Sequence, residues 1–422
     1  MLSRFRLYDE KVLAALSLGA LVLVIVLSCF TRLHVGILAI SFAWIIGLLA
    51  GISPNQVMAG FPSSLFLTLT GVSLLFTLAE VNGTLEHLAH ALTSLAQGRA
   101  LSFLLIFFVF SAALSTFGAG ALSTAALAAP LAMGAASRAG ISPFLMALII
   151  GNGANAGNLS PVSPVGVVVT QTLDRFQLSS LAWILYRNHL LAHLLLAILI
   201  LACFGGRSLF TASLTPSLQP RPWQRHNLIT LLTLVLLLLG VLLFQLPVGL
   251  AAFAAVALLT LLRCAPEDQV LARVPWSILL LVSGMSLLIA LLERTGGLDL
   301  FTSLMARFST IDTASAVVAF VAGIVSAYSS TSGVVLPAFL PMAPKLVAQL
   351  GGGDVTALLS SICLGSHLVD VSPLSTIGAL CLASAGPEVD RNRLFRQLLL
   401  WGLSMSIIGA IASYFFFGKG WL

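Results

Sequence analysis

Long apolar runs constrain this chain more than any other feature of its sequence. Residues 12–30, 182–204 and 228–244 contain few polar side chains, and an α-helix needs roughly 20 residues to cross a bilayer. Hydrophobic residues make up 59% of the 422 positions and charged residues 8%, against about 25% charged in soluble domains. Because so few charges cannot cover a water-exposed surface, the sequence excludes a soluble enzyme and predicts an all-α polytopic membrane protein.

The net charge of +6 does not indicate a nucleic-acid partner. Lysine and arginine occupy short segments between the apolar runs, where such residues orient helices in the bilayer. The five cysteines are scattered and show no CxxC spacing, so we expect neither a disulfide framework nor a metal site. We therefore expect a multi-pass protein of the inner (cytoplasmic) membrane that carries no cofactor.

The sequence contains an internal repeat. Residues 71–85 and 284–298 are identical at eight of fifteen positions, at an offset of 213. Further along, NLSPVSPVG at 158–166 pairs with DVSPLSTIG at 370–378 at an offset of 212. Separate matches at nearly one offset indicate a duplication.

Each half of the duplication predicts the same series of elements. We expect about ten transmembrane helices and two re-entrant hairpins. Five crossings in each half would place the second repeat upside down relative to the first. The predicted first repeat, 1–204, has scaffold helices within 12–80, a hairpin at 101–134, an unwound helix at 143–172 and a final helix at 181–203. After a linker at 205–227, the second repeat, 228–422, has scaffold helices within 228–292, a hairpin at 314–344, an unwound helix at 355–385 and a final helix at 396–417.

The segment 101–134 has two interpretations. It is interrupted near its middle by STFGAGALST at 115–124, so it forms either two spans or one re-entrant hairpin. Each arm has about 15 residues, fewer than the roughly 20 that a span requires. We therefore favour the hairpin, and the same reasoning applies to 314–344.

Two further segments are interrupted by glycine, serine and proline at 151–166 and 365–378. Pro161, Pro164 and Pro373 lack amide donors and break helices. Irregular backbone at membrane depth is tolerated where it is buried in protein or lines a cavity. Simple kinks are the alternative, but two matching interruptions at one repeat offset favour a substrate site, with helix N-termini for a carboxylate and freed carbonyl oxygens for Na⁺.

The candidate site residues come from these loops and from the tip of the second hairpin. Asp370 stands where the first repeat has Asn158, and it is either a residue that couples Na⁺ or H⁺ or a helix cap. His189 and His193 have metal-ligand spacing, but no carboxylate or cysteine accompanies them, so we assign them to packing. The predicted substrate ligands are Asn155, Asn158, Ser160, Ser163, Thr331, Ser332, Gly333, His367, Ser372, Ser375 and Thr376, and the predicted cation-coupling residues are Gly153, Asn155, Ser330 and Asp370.

Three motifs carry a family resemblance: GNGANAGNLSPVSP at 151–164, SSTSGVVLP at 329–337 and SHLVDVSPLSTIGAL at 366–380. They resemble the ion-transporter superfamily, which includes the divalent anion/sodium symporters, and most of all the malonate-type dicarboxylate carriers. The resemblance implies one substrate and its Na⁺ ions enclosed by both hairpin tips and both loops. It also implies an elevator movement against a homodimeric scaffold.

The chain departs from the symporter pattern at two places. Residues 120–122 are Gly-Ala-Leu where the symporters carry Ser-Asn-Thr at the first hairpin tip. The loops contain Ser-Pro in place of Thr-Pro.

The expected function is secondary transport of a small organic anion, a di- or monocarboxylate such as malonate or a C4-dicarboxylate, coupled to Na⁺ or H⁺. A Na⁺/H⁺ antiporter or an arsenite-type exporter of the same fold is the main alternative. A membrane-embedded enzyme lacks a supporting constellation of catalytic residues, and an ATP-driven permease lacks a coupling loop.

Overall fold

The computed structural model of the chain is helical almost throughout. Most of the predicted linker, residues 206–221, lies outside the part of the chain that the structure describes. The described residues are 9–30, 33–94, 99–138, 141–205, 222–244, 246–328, 330–386 and 388–420.

The helices follow one order in both halves of the chain. In the first half they are α1 (Glu10–Phe30), α2 (Val35–Leu49), α3 (Pro54–Met58), α4 (Ser63–Val81), α5 (Thr84–Ser94), α6 (Ala100–Leu114), α7 (Gly120–Arg138), α8 (Pro143–Ala156), α9 (Pro164–Asp174) and α10 (Ala182–Phe204). In the second half they are α11 (Arg225–Phe244), α12 (Val248–Leu261), α13 (Glu267–Arg273), α14 (Trp276–Arg294), α15 (Gly297–Arg307), α16 (Ala314–Tyr328), α17 (Leu336–Phe339), α18 (Met342–Leu350), α19 (Val355–Leu368), α20 (Thr376–Ala383) and α21 (Arg391–Ser413).

Seven helical segments among the described residues are long and apolar enough to cross a membrane, and six shorter apolar helices accompany them. The chain is therefore a polytopic membrane protein, as the sequence predicts. Length alone counts 100–133 as one span, but positive φ angles at Gly118 (119°) and Gly120 (71°) turn the backbone in the middle of this segment.

The two halves interlock through glycines that occupy matching positions. A Cβ at Gly284 on α14 would lie 2.3 Å from the carbonyl oxygen of Gly36 on α2. A Cβ at Gly71 on α4 would lie 2.5 Å from the carbonyl oxygen of Gly249 on α12. Small residues allow such close backbone approach between membrane helices. The second helix of each half thus packs against the long third helix of the other half.

Contacts at the helix ends give the relative direction of α4 and α14. His34 precedes α2, and its Nε2 atom lies 3.1 Å from the carbonyl oxygen of Ser277 at the start of α14. Arg294 at the end of α14 donates to the carbonyl oxygen of Gln56, at 3.0 Å, shortly before α4 begins. The end of α14 thus lies beside the start of α4, so these equivalent helices run in opposite directions, as an inverted repeat requires.

The first hairpin lies alongside α8. A Cβ at Gly153 would lie 2.7 Å from the carbonyl oxygen of Phe108, and one at Gly157 would lie 2.4 Å from that of Ala112. The later residue of α6, Ala112, lies beside the residue that follows α8, Gly157, and the earlier one, Phe108, lies beside Gly153. Helices α6 and α8 therefore run in the same direction. Since α7 follows the turn and is followed by the start of α8, the hairpin begins and ends at the same end of the helix pair α6 and α8.

The second hairpin returns to its starting side in the same way. Ile311 precedes α16, and its Cδ1 would lie 3.4 Å from a Cβ at Gly352, which follows α18. The returning arm contains Pro341 and is divided into α17 and α18. It extends to Leu350, beyond the predicted boundary at 344.

Helices α8 and α19 lie at the centre of the molecule. Every residue from Phe144 to Ala156 is buried, as is every residue from Ala357 to Leu368. In α12, by contrast, only Gly249, Ala252, Ala255 and Leu259 are buried. The two helices that lead into the interrupted segments therefore form the protected interior of the protein.

Candidate functional site

Each central helix stops inside the protein and resumes after seven residues. We call 157–163, between α8 and α9, the first loop, and 369–375, between α19 and α20, the second loop. Pro161 and Pro373 lie within the loops, and Pro164 begins α9, so helical hydrogen bonding cannot continue through these positions.

The two loops share their internal hydrogen bonds. The Ser163 hydroxyl donates to the carbonyl oxygen of Asn158 in a very short contact. At the equivalent position, the Ser375 hydroxyl donates to the carbonyl oxygen of Asp370, also in a very short contact. Local serine-to-backbone bonds compete with helical ones, so the same sequence pattern folds both loops in the same way.

A glycine closes each loop. A Cβ at Gly166 would lie 1.8 Å from the carbonyl oxygen of Ser160, and one at Gly378 would lie 2.0 Å from that of Ser372. No side chain fits at such distances. Glycine at these two positions lets the resumed helix pass directly over its own loop.

The tip of the first hairpin contacts the first loop. The backbone amide of Ala121 donates to Asn158 Oδ1 at 3.0 Å. A Cβ at Gly120 would lie 3.0 Å from Pro164 Cδ. Ala121 replaces the polar tip residue of the symporters, but its main chain supplies a hydrogen bond that its side chain cannot.

The tip of the second hairpin contacts the second loop through side chains. The Thr331 hydroxyl donates to Asp370 Oδ1 at 2.5 Å, and its oxygen lies 2.5 Å from the hydroxyl oxygen of Ser326. The Ser330 hydroxyl accepts from the amide of Gly333 at 3.1 Å and so caps the first turn of the tip. The Asp370 carboxylate is thus held by the hairpin that covers it.

Helix α8, which leads into the first loop, contacts the end of α19 and the second loop across the repeat boundary. The Asn155 side-chain amide donates to the carbonyl oxygen of His367 at 3.1 Å. A Cβ at Gly151 would lie 2.7 Å from Val371 Cγ2. In addition, α20 packs against α7 and α9 packs against α17. Each resumed helix therefore touches the hairpin of the other half.

The predicted site residues all lie in or beside the loops and tips. Thr376 is exposed at the start of α20, and Ser330 and Ser332 are half-buried. The buried ones are Gly153, Asn155, Asn158, Ser160, Ser163, Thr331, Gly333, His367, Asp370, Ser372 and Ser375.

The helix N-termini at the loops differ in their free donors. At the start of α9, the Ser163 hydroxyl accepts from the amide of Gly166 at 3.1 Å. At the start of α20, Ser375 gives no side-chain cap to the first amides. Uncapped amides at a helix N-terminus favour a negative charge. An anion would therefore find open donors at Thr376 and the residues that follow it.

Charged groups are scarce in the two interrupted segments. Residues 141–173 contain no charged side chain, and residues 355–383 contain Asp370 alone besides the histidine at 367. Among the residues that the structure describes, no group of three His, Cys, Asp or Glu side chains is placed to hold a metal ion. The polar groups that these segments offer are therefore mainly amides and hydroxyls.

A cavity of about 250 Å³ opens beside the second hairpin. It is bounded by Ser286 of α14, by Pro337 of α17, and by Gln171, Thr172 and Arg175 at the end of α9. The exposed Arg175 also borders a neighbouring cavity of about 500 Å³. The second cavity is also lined by Glu293 and Arg294, so charged side chains of both signs border the end of α9.

Sequence reasoning missed several groups that the structure places at this centre. Asn152 of α8 donates to the carbonyl oxygen of His193 on α10, and His189 of α10 bonds the carbonyl oxygen of Asn155. Ser326 joins the bonds around Asp370. The Ala121 amide gave no signal because any residue has one. The histidines gave a signal, their spacing on one face, but their partners lie in other elements.

Two hairpins that close on two interrupted helices, within a bundle of apolar helices long enough to cross a membrane, form the kind of arrangement that membrane transporters use. Comparison with known proteins agrees with this class. Residues 12–158 match the family model for the N-terminus of the dicarboxylate carrier protein MatC. For this part of the chain, the match confirms the resemblance to malonate-type dicarboxylate carriers. No curated protein gives a significant match.

Among solved structures, the fold is similar to that of the YdaH transporter of Alcanivorax borkumensis. The alignment has a TM-score of 0.56 and 13% sequence identity, and it covers 95% of this chain and 99% of the other. At this identity the likeness concerns the fold alone.

Proposed function

We propose that the protein is a secondary active transporter of the inner membrane that carries a small organic anion, a dicarboxylate such as malonate or a C4-dicarboxylate. The observation that carries this proposal is the meeting of two equivalent interrupted helices, each touched by a hairpin tip. The match of residues 12–158 to a dicarboxylate carrier family supports the substrate class.

The substrate would bind where the second loop, the second hairpin tip and α20 come together. The uncapped amides at the start of α20 and the half-buried hydroxyl of Ser332 are donors for one carboxylate. Helix N-termini in broken membrane helices serve this purpose in transporters. The other carboxylate would lie towards the first loop, near Ser160 and Ser163. The anion would approach along the cavity that Arg175 borders.

The coupling ion would be Na⁺ or H⁺, and Asp370 is the main candidate to respond to it. An ionisable side chain at membrane depth is a functional candidate by default. The carbonyl oxygens of Gly153 and Asn155, with the Ser330 hydroxyl, are oxygen ligands of the type that Na⁺ accepts. By family analogy the protein would act as a homodimer whose loops and hairpins move together against the scaffold.

Uptake of radiolabelled malonate and succinate into proteoliposomes tests this proposal. We expect accumulation under an inward Na⁺ gradient or an inward proton gradient, and loss of accumulation when the gradient is collapsed. A protein that is folded and inserted, yet accumulates no di- or monocarboxylate under either gradient, would contradict the proposal.

One observation favours a second candidate, a Na⁺/H⁺ antiporter or arsenite-type exporter of the same fold. The buried Asp370 carboxylate is the kind of group that exchanges cations. The first loop, however, carries Asn158 in place of a second acid. Proteoliposomes loaded with a pH indicator separate the two functions, because an antiporter responds to added Na⁺ with no carboxylate present.

A further inference from the structure

Three buried histidines from both halves of the chain form a cluster beside the two loops. The ring centroids of His189 and His193 on α10 are 4.4 Å apart. Those of His189 and His367, at the end of α19, are 4.6 Å apart. All three side chains are at most 2% exposed. The substrate site proposed above does not require the two histidines of α10.

Backbone carbonyl partners fix the tautomers of two of these histidines. His189 Nε2 lies 3.0 Å from the carbonyl oxygen of Asn155, and His367 Nδ1 lies 2.7 Å from that of Cys363. A carbonyl oxygen only accepts, so each of these nitrogens carries the hydrogen of a neutral imidazole.

The Asn152 side chain fixes the third histidine. Asn152 Nδ2 donates to the carbonyl oxygen of His193 at 2.7 Å, which orients the amide. Its Oδ1 then lies 2.5 Å from His193 Nδ1, so that nitrogen is also a donor. In all three rings, the remaining nitrogen bears a free lone pair.

These remaining nitrogens are buried without a hydrogen-bond partner among the described residues. They are His189 Nδ1, His193 Nε2 and His367 Nε2. Asn155 Oδ1 is buried and unpartnered as well, and its orientation is fixed because the amide nitrogen donates to His367. The cluster thus presents four acceptors and no donor.

Buried acceptors without a donor are costly, so the arrangement calls for a positively charged occupant. The gap lined by Asn152, Asn155, His193 and His367 is too narrow to admit a water molecule. The described residues also offer no metal-binding group. A proton is the occupant that fits, since it converts one lone pair into an N–H donor without adding volume.

We propose that His189, His193 and His367 form a proton-binding site, shared by the two halves of the chain, that takes up one proton during transport. This inference rests on the proposed transport function. Close packing of the rings disfavours a second charge. His367 connects the site to the second loop, because its carbonyl oxygen also accepts from the Asp370 amide at 3.1 Å.

Other titratable groups lie on the elements around the cluster. Asp370 is held by Thr331, and Arg187 donates to Asn188 at 3.1 Å. Others include Tyr186 and Cys203 on α10, Cys363 on α19 and Asp354 at its N-cap, Asp174 and Arg175 at the end of α9, Lys345 on α18, and Asp390, Arg391, Arg393 and Arg396 at the start of α21.

Trp401 supplies a readout that does not depend on transport, because its indole lines the same gap as His193 and His367. A protonated imidazole quenches indole fluorescence. We would titrate the emission of the purified full-length protein with acid and subtract the curve of Trp401→Phe. We expect one quenching step in the difference curve, and its loss in a variant with all three histidines changed to glutamine.

A second histidine–tryptophan pair provides the matched control. His87 and Trp223 have ring centroids 5.5 Å apart and lie outside the cluster. His87→Gln should leave the Trp401 step unchanged. A Trp401 difference curve that is flat with pH in the folded wild-type protein would overturn the proposal, and this comparison requires no histidine substitution.

Transport then separates failure of this inference from failure of the proposed function. We expect an inward proton gradient to drive malonate uptake by the wild type, and replacing Na⁺ in the buffer to leave that uptake unchanged. In His193→Gln, the proton gradient should no longer increase malonate uptake. Malonate uptake at the same rate with and without the proton gradient would overturn the proton site and would still support the transport function. A Trp401 step without any carboxylate uptake would contradict the transport function while retaining proton binding.

Discussion

The first and second loops share one backbone arrangement and differ in one side chain. In both, a serine hydroxyl bonds the carbonyl oxygen five residues earlier, and a glycine passes over the loop. In the first loop, however, Asn158 binds the main chain of its hairpin tip, whereas Asp370 binds the Thr331 hydroxyl. Repetition therefore provides the shape of the two loops, and the one acid, Asp370, is the side chain by which they differ in charge.

The largest effect is expected at the glycines that close the loops. Gly166→Ala and Gly378→Ala place a methyl group 1.8 and 2.0 Å from a backbone oxygen, so each should destabilise the protein by at least about 3 kcal/mol. Thermal unfolding in detergent measures the loss. Gly19→Ala is the matched control, because nothing lies within 4 Å of its added Cβ. Equal stability of the two loop variants and the wild type would show that the loops are not built as described.

Exchanging the acid and the amide separates shape from charge. Asn158→Asp adds a second buried carboxylate without a cation and should cost about 3 kcal/mol. Asp370→Asn keeps an oxygen for Thr331, so we expect a melting temperature near that of the wild type. The variant loses the negative charge that would bind the coupling cation, and because a bond to a charged group contributes about 1.5–3 kcal/mol, gradient-driven uptake should fall roughly 10- to 150-fold. If Asp370→Asn takes up substrate at the rate of the wild type, Asp370 has no part in coupling.

The contact between tip and loop is tested at Thr331. Thr331→Val removes the hydroxyl that donates to Asp370 and should weaken closure of the second hairpin by about 1.5–3 kcal/mol. We expect a raised KM for the transported anion. Thr331→Ser retains the hydroxyl and should behave like the wild type. If valine and serine have the same effect, the methyl group and not the hydrogen bond determines the result.

The smallest effects are expected at the serines inside the loops. Ser163→Ala and Ser375→Ala each remove one hydroxyl that bonds a carbonyl oxygen, at a cost of about 1 kcal/mol. Chemical denaturation of both variants compares the two loops directly. Ser163→Ala should cost about 1 kcal/mol more than Ser375→Ala, because it also removes the cap on the Gly166 amide and Ser375 provides no such cap. A larger cost for Ser375→Ala than for Ser163→Ala would indicate that the loops are built differently.

Much of the architecture could be predicted because its signals are local. Pro161, Pro164 and Pro373 break helices wherever they occur, and the repeat offset indicates that two such breaks are equivalent. Short arms on either side of Gly118 and Gly120 predict a hairpin. The returning arm of the second hairpin continues as α18 to Leu350, past the predicted boundary at 344.

The rest could not be predicted because it depends on contacts between distant residues. His189 and His193 resemble packing residues until His367, which belongs to the other half of the chain, is placed against them. Ala121 contributes its backbone amide, which the identity of the residue does not reveal because every residue except proline has one. Asn152 is recognised as functional only after its bonds to His193 are seen.

The account depends on a substrate that is enclosed where the loops and hairpin tips meet, and cysteine protection tests this most directly. Thr376→Cys would be introduced at the exposed start of α20, with Cys203 replaced because it is also exposed. The account predicts that malonate or succinate slows maleimide labelling of this cysteine and leaves labelling of Leu262→Cys, at the distant end of α12, unchanged. Equal labelling rates at position 376 with and without every dicarboxylate tested would contradict it.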